Sequence, residues 1–183
     1  MQLYRTLSIL DKYRNTINVI FLCWIIAHSG SSQSIDKSYS YKNFDGSEVQ
    51  ITFNLKQSTI DYFNRNWYDI ISRSNNKREN YFRLIKSLFY DNQDSLGFVY
   101  NMFNQNLHDV SDEYFINTVI RFVQSLPYKI PPSNFNGKKT SGILAPMICL
   151  SQGYGDCDTK SLLLCCILGH KYELLFLVGE SHA

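Results

Sequence analysis

Between residues 37 and 55 apolar and polar positions alternate. Val49, Ile51, Phe53 and Leu55 share one face, Glu48, Gln50, Thr52 and Asn54 the other, and Tyr39 and Tyr41 alternate on the arm before them. A period of two belongs to a strand with one face buried, and Asp45-Gly46 is a turn signal, so the stretch predicts a β-hairpin. The rhythm then becomes helical. Ile60, Phe63 and Trp67 predict a helix over residues 58–67, and "ENYFRLIKSLFY" sets Tyr81, Leu84, Ile85, Leu88 and Phe89 on one stripe, with the polar loop "SRSNNKREN" between. A further helix is predicted over residues 95–106, with Phe98, Val99, Met102 and Phe103 inward. Another starts at a Ser111 or Asp112 cap and turns Phe115, Ile116, Val119, Ile120 and Val123 inward. It stops before Pro127, because a residue preceding proline is pushed out of the helical region.

A loop with paired prolines and Lys138-Lys139 fills residues 131–145. Gly153 and Gly155 then punctuate a turn, and residues 158–168 predict a helix apolar nearly all round, hence buried on several sides. Gly169 ends it, "YELLFLV" reads as a buried strand, and His182 lies just past that strand.

The N-terminal pattern has a different origin. Arg5, Lys12 and Arg14 precede the apolar run "INVIFLCWIIA" and the small, polar "HSGSSQS", which is the order of a secretory signal peptide. Cleavage after Ser29 fits the small residues Ala27 and Ser29. The run falls short of the about 20 apolar residues of an ordinary membrane-spanning helix. An uncleaved short anchor and an amphipathic N-terminal helix remain the alternatives. The expected organisation is residues 1–29 as signal peptide or anchor, 30–67 as hairpin and linker helix, and 68–183 as the main domain, exported to the periplasm, cell envelope or exterior.

A length of 183 residues suits one ordinary domain after the leader. The net charge of +2, without a basic run, gives no electrostatic case for nucleic acid. Of five cysteines, Cys23 leaves with the signal, so Cys149, Cys157, Cys165 and Cys166 remain. Cys165 and Cys166 are neighbours on a predicted helix that point in different directions, and no cysteine lies between residues 24 and 148 to be stapled, so a disulfide framework is not expected. Without a C-x-x-C or a His pair at ligand spacing no metal site is expected, and no cofactor is implied.

Cys157, delivered by a Gly-rich turn to the start of a greasy helix, is the candidate nucleophile. Unpaired N–H groups at a helix N-terminus favour a thiolate, and His182 would favour it further if its strand packs beside that helix. Such an imidazole serves as base and then as acid to the leaving amine. The bland alternative is a small core cysteine and an uninvolved terminal histidine. Gln152, Tyr154 and Gly155 are candidates for an oxyanion hole or substrate cleft. A turn glutamine facing water and a tyrosine covering the turn are the competing readings. Asp156 and Asp158 read as caps; both oppose thiolate formation, so neither is expected close to the sulfur.

"FVQSLPY" at residues 122–128, "GDCDTK" at 155–160 and "HA" at 182–183 resemble, in order, the core motifs of the transglutaminase-like superfamily. The resemblance covers roughly the last third of the chain. It implies a papain-like α+β fold, with helices preceding a small antiparallel sheet, in which Cys157 is the nucleophile and His182 its partner. Two departures stand out. Pro146 is followed by Met147, Ile148 and Cys149, where members often have a carboxylate and threonine, and the family's third residue, an Asp on the strand after the histidine, has no counterpart before Ala183. The domain is therefore expected to be truncated, to fill the third role with another group, or to be inactive. The function so implied is an exported cysteine hydrolase or acyltransferase acting on amide or peptide bonds of a protein or peptide substrate. The alternative is an inactive envelope binding module. A membrane enters only through an uncleaved N-terminal segment, and the oligomeric state is left open.

Overall fold

A computed structural model describes residues 33–72, 78–135, 138–139 and 142–176, so the expected leader and His182 lie outside the described residues. The chain divides into Met1–Gln33 and Ser34–Ala183, and every element below belongs to the second unit.

Strands β1 (Ser34–Lys42) and β2 (Glu48–Lys56) form the expected antiparallel hairpin, with Tyr39 opposite Ile51 and Tyr41 opposite Val49. Burial follows the alternation: Tyr41, Ile51, Phe53 and Leu55 are buried while Gln50, Thr52 and Asn54 are exposed. At the turn Gly46 takes a φ of 84°, a left-handed conformation in which a Cβ is strained, and Asp45 Oδ1 accepts the Ser47 N–H at 2.9 Å.

Helix α1 (Gln57–Ser72) follows directly and runs unbroken past residue 67. Next come α2 (Arg78–Gln93), a 3-10 turn (Asp94–Leu96) and α3 (Gly97–Asn106). Helix α4 (Asp112–Ser125) begins at the Ser111 cap, whose hydroxyl accepts the Tyr114 N–H at 3.2 Å. After it stand the two-residue strands β3 (Asn134–Phe135) and β4 (Lys138–Lys139), helix α5 (Pro146–Gln152) and helix α6 (Cys157–Leu168). Helix α6 lies against α2, α3, α4 and α5, which is why its apolar residues run almost all round it. Phe122 of α4 joins α4 and α3 to the hairpin, with its ring among those of Tyr39, Tyr41, Phe53 and Phe103. The architecture is mixed: helices with a small two-stranded antiparallel sheet, one core shared by hairpin and helices.

Several expectations need correction. Helix α5 fills residues 146–152, which the sequence leaves unassigned between the expected loop and the glycine turn: residues 146–151 are all buried, so no polar face marks a helical period. Phe98 is 38% exposed, its edge on Phe53, while Thr118 and Phe122 are buried on α4 ahead of Ile116 and Ile120. The strand expected in "YELLFLV" is absent over residues 172–176, and Leu177 and Val178 lie outside the described residues. Leu175 is 81% exposed, and no described strand lies beside this segment. A strand apolar on both faces forms only where both are covered. The observed two-stranded sheets precede or interrupt the helices instead of following them. No helix among the described residues is long and apolar enough to cross a membrane.

Candidate functional site

The turn bearing Cys157 is anchored from behind by a buried strap, Ile143 to Met147. Its backbone polar groups, which would be costly to bury unpaired, are met by side chains from three helices. Trp67 Nε1 of α1 donates to the Ile143 carbonyl at 3.0 Å. Thr159 Oγ1 of α6 accepts the Leu144 N–H at 3.1 Å. Asn92 Oδ1 of α2 accepts the Met147 N–H, also at 3.1 Å, and its Nδ2 donates to the Leu88 carbonyl at 2.8 Å. Asn92 thus caps α5, whose own cap residue, Ala145, has no side chain for the task.

Helix α5 ends at Gly153, with φ of 74° and its N–H on the Cys149 carbonyl at 2.8 Å. The Tyr39 ring lies against this glycine and its hydroxyl donates to the Leu150 carbonyl. Gly155 then forms a parallel bridge with Tyr128: its N–H donates to the Pro127 carbonyl and its carbonyl accepts the Lys129 N–H, both at 3.2 Å. The "LPY" and "GDC" segments, distant in sequence, are thereby joined through backbone. A Cβ on Gly155 would sit 2.9 Å from Thr159 Cγ2 and 3.1 Å from Cys149 Sγ, so glycine is required here by space.

Asp156 is the N-cap of α6 and accepts the Thr159 N–H at 3.0 Å, as expected. Cys157 is the first helical residue and is exposed. Asp158 is not simply a cap. Its Oδ1 stands 3.5 Å from Cys157 Sγ and accepts the thiol proton, and its Oδ2 accepts a hydrogen bond from the Tyr81 hydroxyl of α2. The expectation that both carboxylates keep clear of the sulfur is therefore wrong for Asp158. Partial burial of the sulfur, then the charge and hydrogen bond of Asp158, then the charge of Asp156, push the Cys157 thiol above its ordinary value. The described surroundings thus work against the thiolate that the helix start favours.

The other candidates are placed as follows. Gln152 is exposed on the last turn of α5. Tyr154 is half-buried, with the Lys129 ammonium 4.6 Å over its ring. The Gly155 N–H is already engaged by Pro127. His108 and His170 are surface residues, and His170 Nε2 lies 2.9 Å from the Gln93 carbonyl. All four cysteines of the described residues are free. Burial pushes Cys149 up to about 12 and also raises Cys165 and Cys166. Among the described residues no group of His, Cys, Asp and Glu gathers that could hold a metal ion.

Tyr81 is the residue that sequence reasoning missed. The helical spacing puts it on an apolar stripe, and its ring is half-buried there, but its hydroxyl emerges at the start of α6. Periodicity reports the face of a tyrosine and is silent about the reach of its oxygen. A concavity of about 540 Å³ lies between α2, α6 and the segment after α6; Phe82, Ile85, Phe89, Leu162, Cys165 and Phe176 line it, and Cys157 does not. Comparison with known proteins finds no family model, curated protein or solved structure that matches the chain.

Proposed function

We propose that the chain is an exported transglutaminase-like cysteine hydrolase or acyltransferase on a papain-like core, acting on amide or peptide bonds of a protein or peptide. The observation that supports it is the backbone bridge between Tyr128 and Gly155, which sets the "LPY" segment beside a turn whose next elements are a cap and an exposed Cys157 at the first position of α6. In this reading His182 takes the thiol proton as the sulfur attacks the amide carbonyl, then gives it to the departing amine, leaving a thioester. Water or a second amine attacks the thioester and releases Cys157. With the Gly155 N–H engaged elsewhere, the oxyanion falls to the N–H of Cys157, which has no intrahelical partner, and to the amide of Gln152.

The test is to incubate the full chain with peptide amides and to look by mass spectrometry for an acyl group on Cys157. The expected adduct is released by neutral hydroxylamine, is absent in Cys157→Ala, and forms about 100-fold more slowly in His182→Ala, the loss typical of a missing general base. Absence of any such adduct would overturn the reading.

A second reading has its own observation. A binding module has no need of a thiolate, and the carboxylates of Asp156 and Asp158 both disfavour one. On that reading Cys157→Ala leaves peptide binding unchanged and no thioester forms.

A further inference from the structure

Cys157 and Tyr81 belong to different helices, and Asp158 stands between them with one oxygen for each. A carboxylate at the first turn of a helix ordinarily turns toward the free N–H groups there or toward water. Here Asp156 already fills the cap, bonding the Thr159 N–H, and Asp158 is drawn to the α2 side by the Tyr81 hydroxyl. The carboxylate plane is thereby fixed, and its second oxygen falls on the sulfur.

We infer that Tyr81 is a positioning residue for Cys157: by bonding one oxygen of Asp158 it aims the other at the Cys157 thiol and holds the thiol proton in place. The inference deepens the reading of Cys157 as the nucleophile by giving that site a means of regulation. A thiol held this way stays protonated until a base competes with Asp158 for its proton or the Tyr81 bond opens.

The groups acting on the sulfur agree with this arrangement. From the start of α6 come Asp156 and Asp158, both negative, and from α2 comes Tyr81. Burial, then the hydrogen bond and charge of Asp158, raise the Tyr81 hydroxyl well above its ordinary value, so it stays a donor wherever the thiol titrates. The nearest cation along α6, Lys160, is turned away to the carbonyls that end α4.

The experiment follows alkylation of Cys157 by iodoacetamide against pH in the full chain, reading the Cys157 peptide by mass spectrometry. Wild type, Asp158→Asn, Tyr81→Phe and the double variant are compared, each with and without His182→Ala. Asp158→Asn removes a neighbouring negative charge and an acceptor, so the midpoint should fall by about one pH unit. Well below the midpoint that is tenfold more thiolate, but a less basic thiolate is also less nucleophilic, so the net gain in rate is about threefold. Tyr81→Phe should shift the midpoint in the same direction by less, because Asp158 is then free to turn to solvent. The double variant should go no further than Asp158→Asn alone, since Tyr81 acts only through Asp158. An unmoved midpoint in Asp158→Asn, or shifts that add in the double variant, would overturn the inference. Labelling of buried Cys149 and Cys166 reports unfolding; should Tyr81→Phe expose them, Asp158→Glu replaces it, moving the carboxylate off the sulfur and lowering the midpoint if the aim of Asp158 matters. The His182→Ala series separates the two claims. A histidine-independent midpoint in every background sinks the catalytic reading and leaves the Tyr81–Asp158 arrangement to stand or fall by its own shifts.

Discussion

The ammonium of Lys160, in the first turn of α6, donates to the Leu126 carbonyl and, at 3.4 Å, to that of Gln124, where α4 ends. The final carbonyls of a helix have no partners within it and carry the negative end of its dipole, so a cation there satisfies both needs. The same residues lead straight into the Tyr128–Gly155 bridge, so the end of α4 is joined to the start of α6 by a side chain and by backbone. Lys160→Met keeps the stem and removes the charge. It is expected to lower stability by about 1–2 kcal/mol, read as a fall in the urea midpoint at unchanged slope.

Gly155→Ala tests the closeness of that junction. Its Cβ would press on Thr159, which holds Leu144, and on Cys149 at the back of α5. Overpacking of this kind costs about 1–3 kcal/mol. Gly46→Ala meets no neighbour within 4 Å and carries only the strain of a positive φ, so it should cost the smaller amount in the same denaturation series.

The four cysteines of the described residues should label in an order set by access. Cys157 is exposed, Cys165 is half-buried at the wall of the groove, and Cys149 and Cys166 are sealed in the core. Under native conditions a maleimide should take Cys157 first and Cys165 more slowly, and should reach Cys149 and Cys166 only when denaturant opens the fold. Early labelling of Cys149 would contradict the tight fit around Gly155.

How much of this could be read beforehand varies with the physical signal. The hairpin was legible because one face of β2 is wet, and a period of two survives only where the faces differ. The caps Ser111 and Asp156 were legible because local chemistry defines a helix start. Helix α5 was not, since Met147 to Ser151 are buried all round and leave no contrast to detect. Cys157 could be placed at a helix start from its glycine turn, whereas the approach of Asp158 to the sulfur depends on a tyrosine 77 positions away. The apolar run after α6 misled for the opposite reason: its composition suits a strand, but strands need neighbours.

That run is tethered by polar contacts instead. Lys171 Nζ and the Tyr172 hydroxyl both donate to Asp112 Oδ1, at 2.6 and 3.0 Å. The bond from Lys171, then that from Tyr172, hold the Asp112 carboxyl below its ordinary value. A carboxyl lowered on folding contributes stability that is present above its unfolded value of about 3.9 and lost as pH falls through the lower folded value. Acidification through that window should therefore lower the protection of the amides at residues 172–176, taken relative to their intrinsic exchange rate at each pH, and Asp112→Asn should show the lower protection already at neutral pH. Equal exchange in the variant and the wild type would show that the tether does not hold the segment.

The strap from Ile143 to Met147 has one more consequence. The "LPY" and "GDC" segments lie in the last third of the chain, yet Trp67 and Asn92, which hold the strap behind Cys157, and Tyr81, which meets Asp158, all come from before residue 93. The motif-bearing segment is therefore not an autonomous folding unit. The contacts that hold its turn close long stretches of chain, a cost in loop entropy that local contacts do not carry, and they make helices α1 and α2 as much its parents as α6.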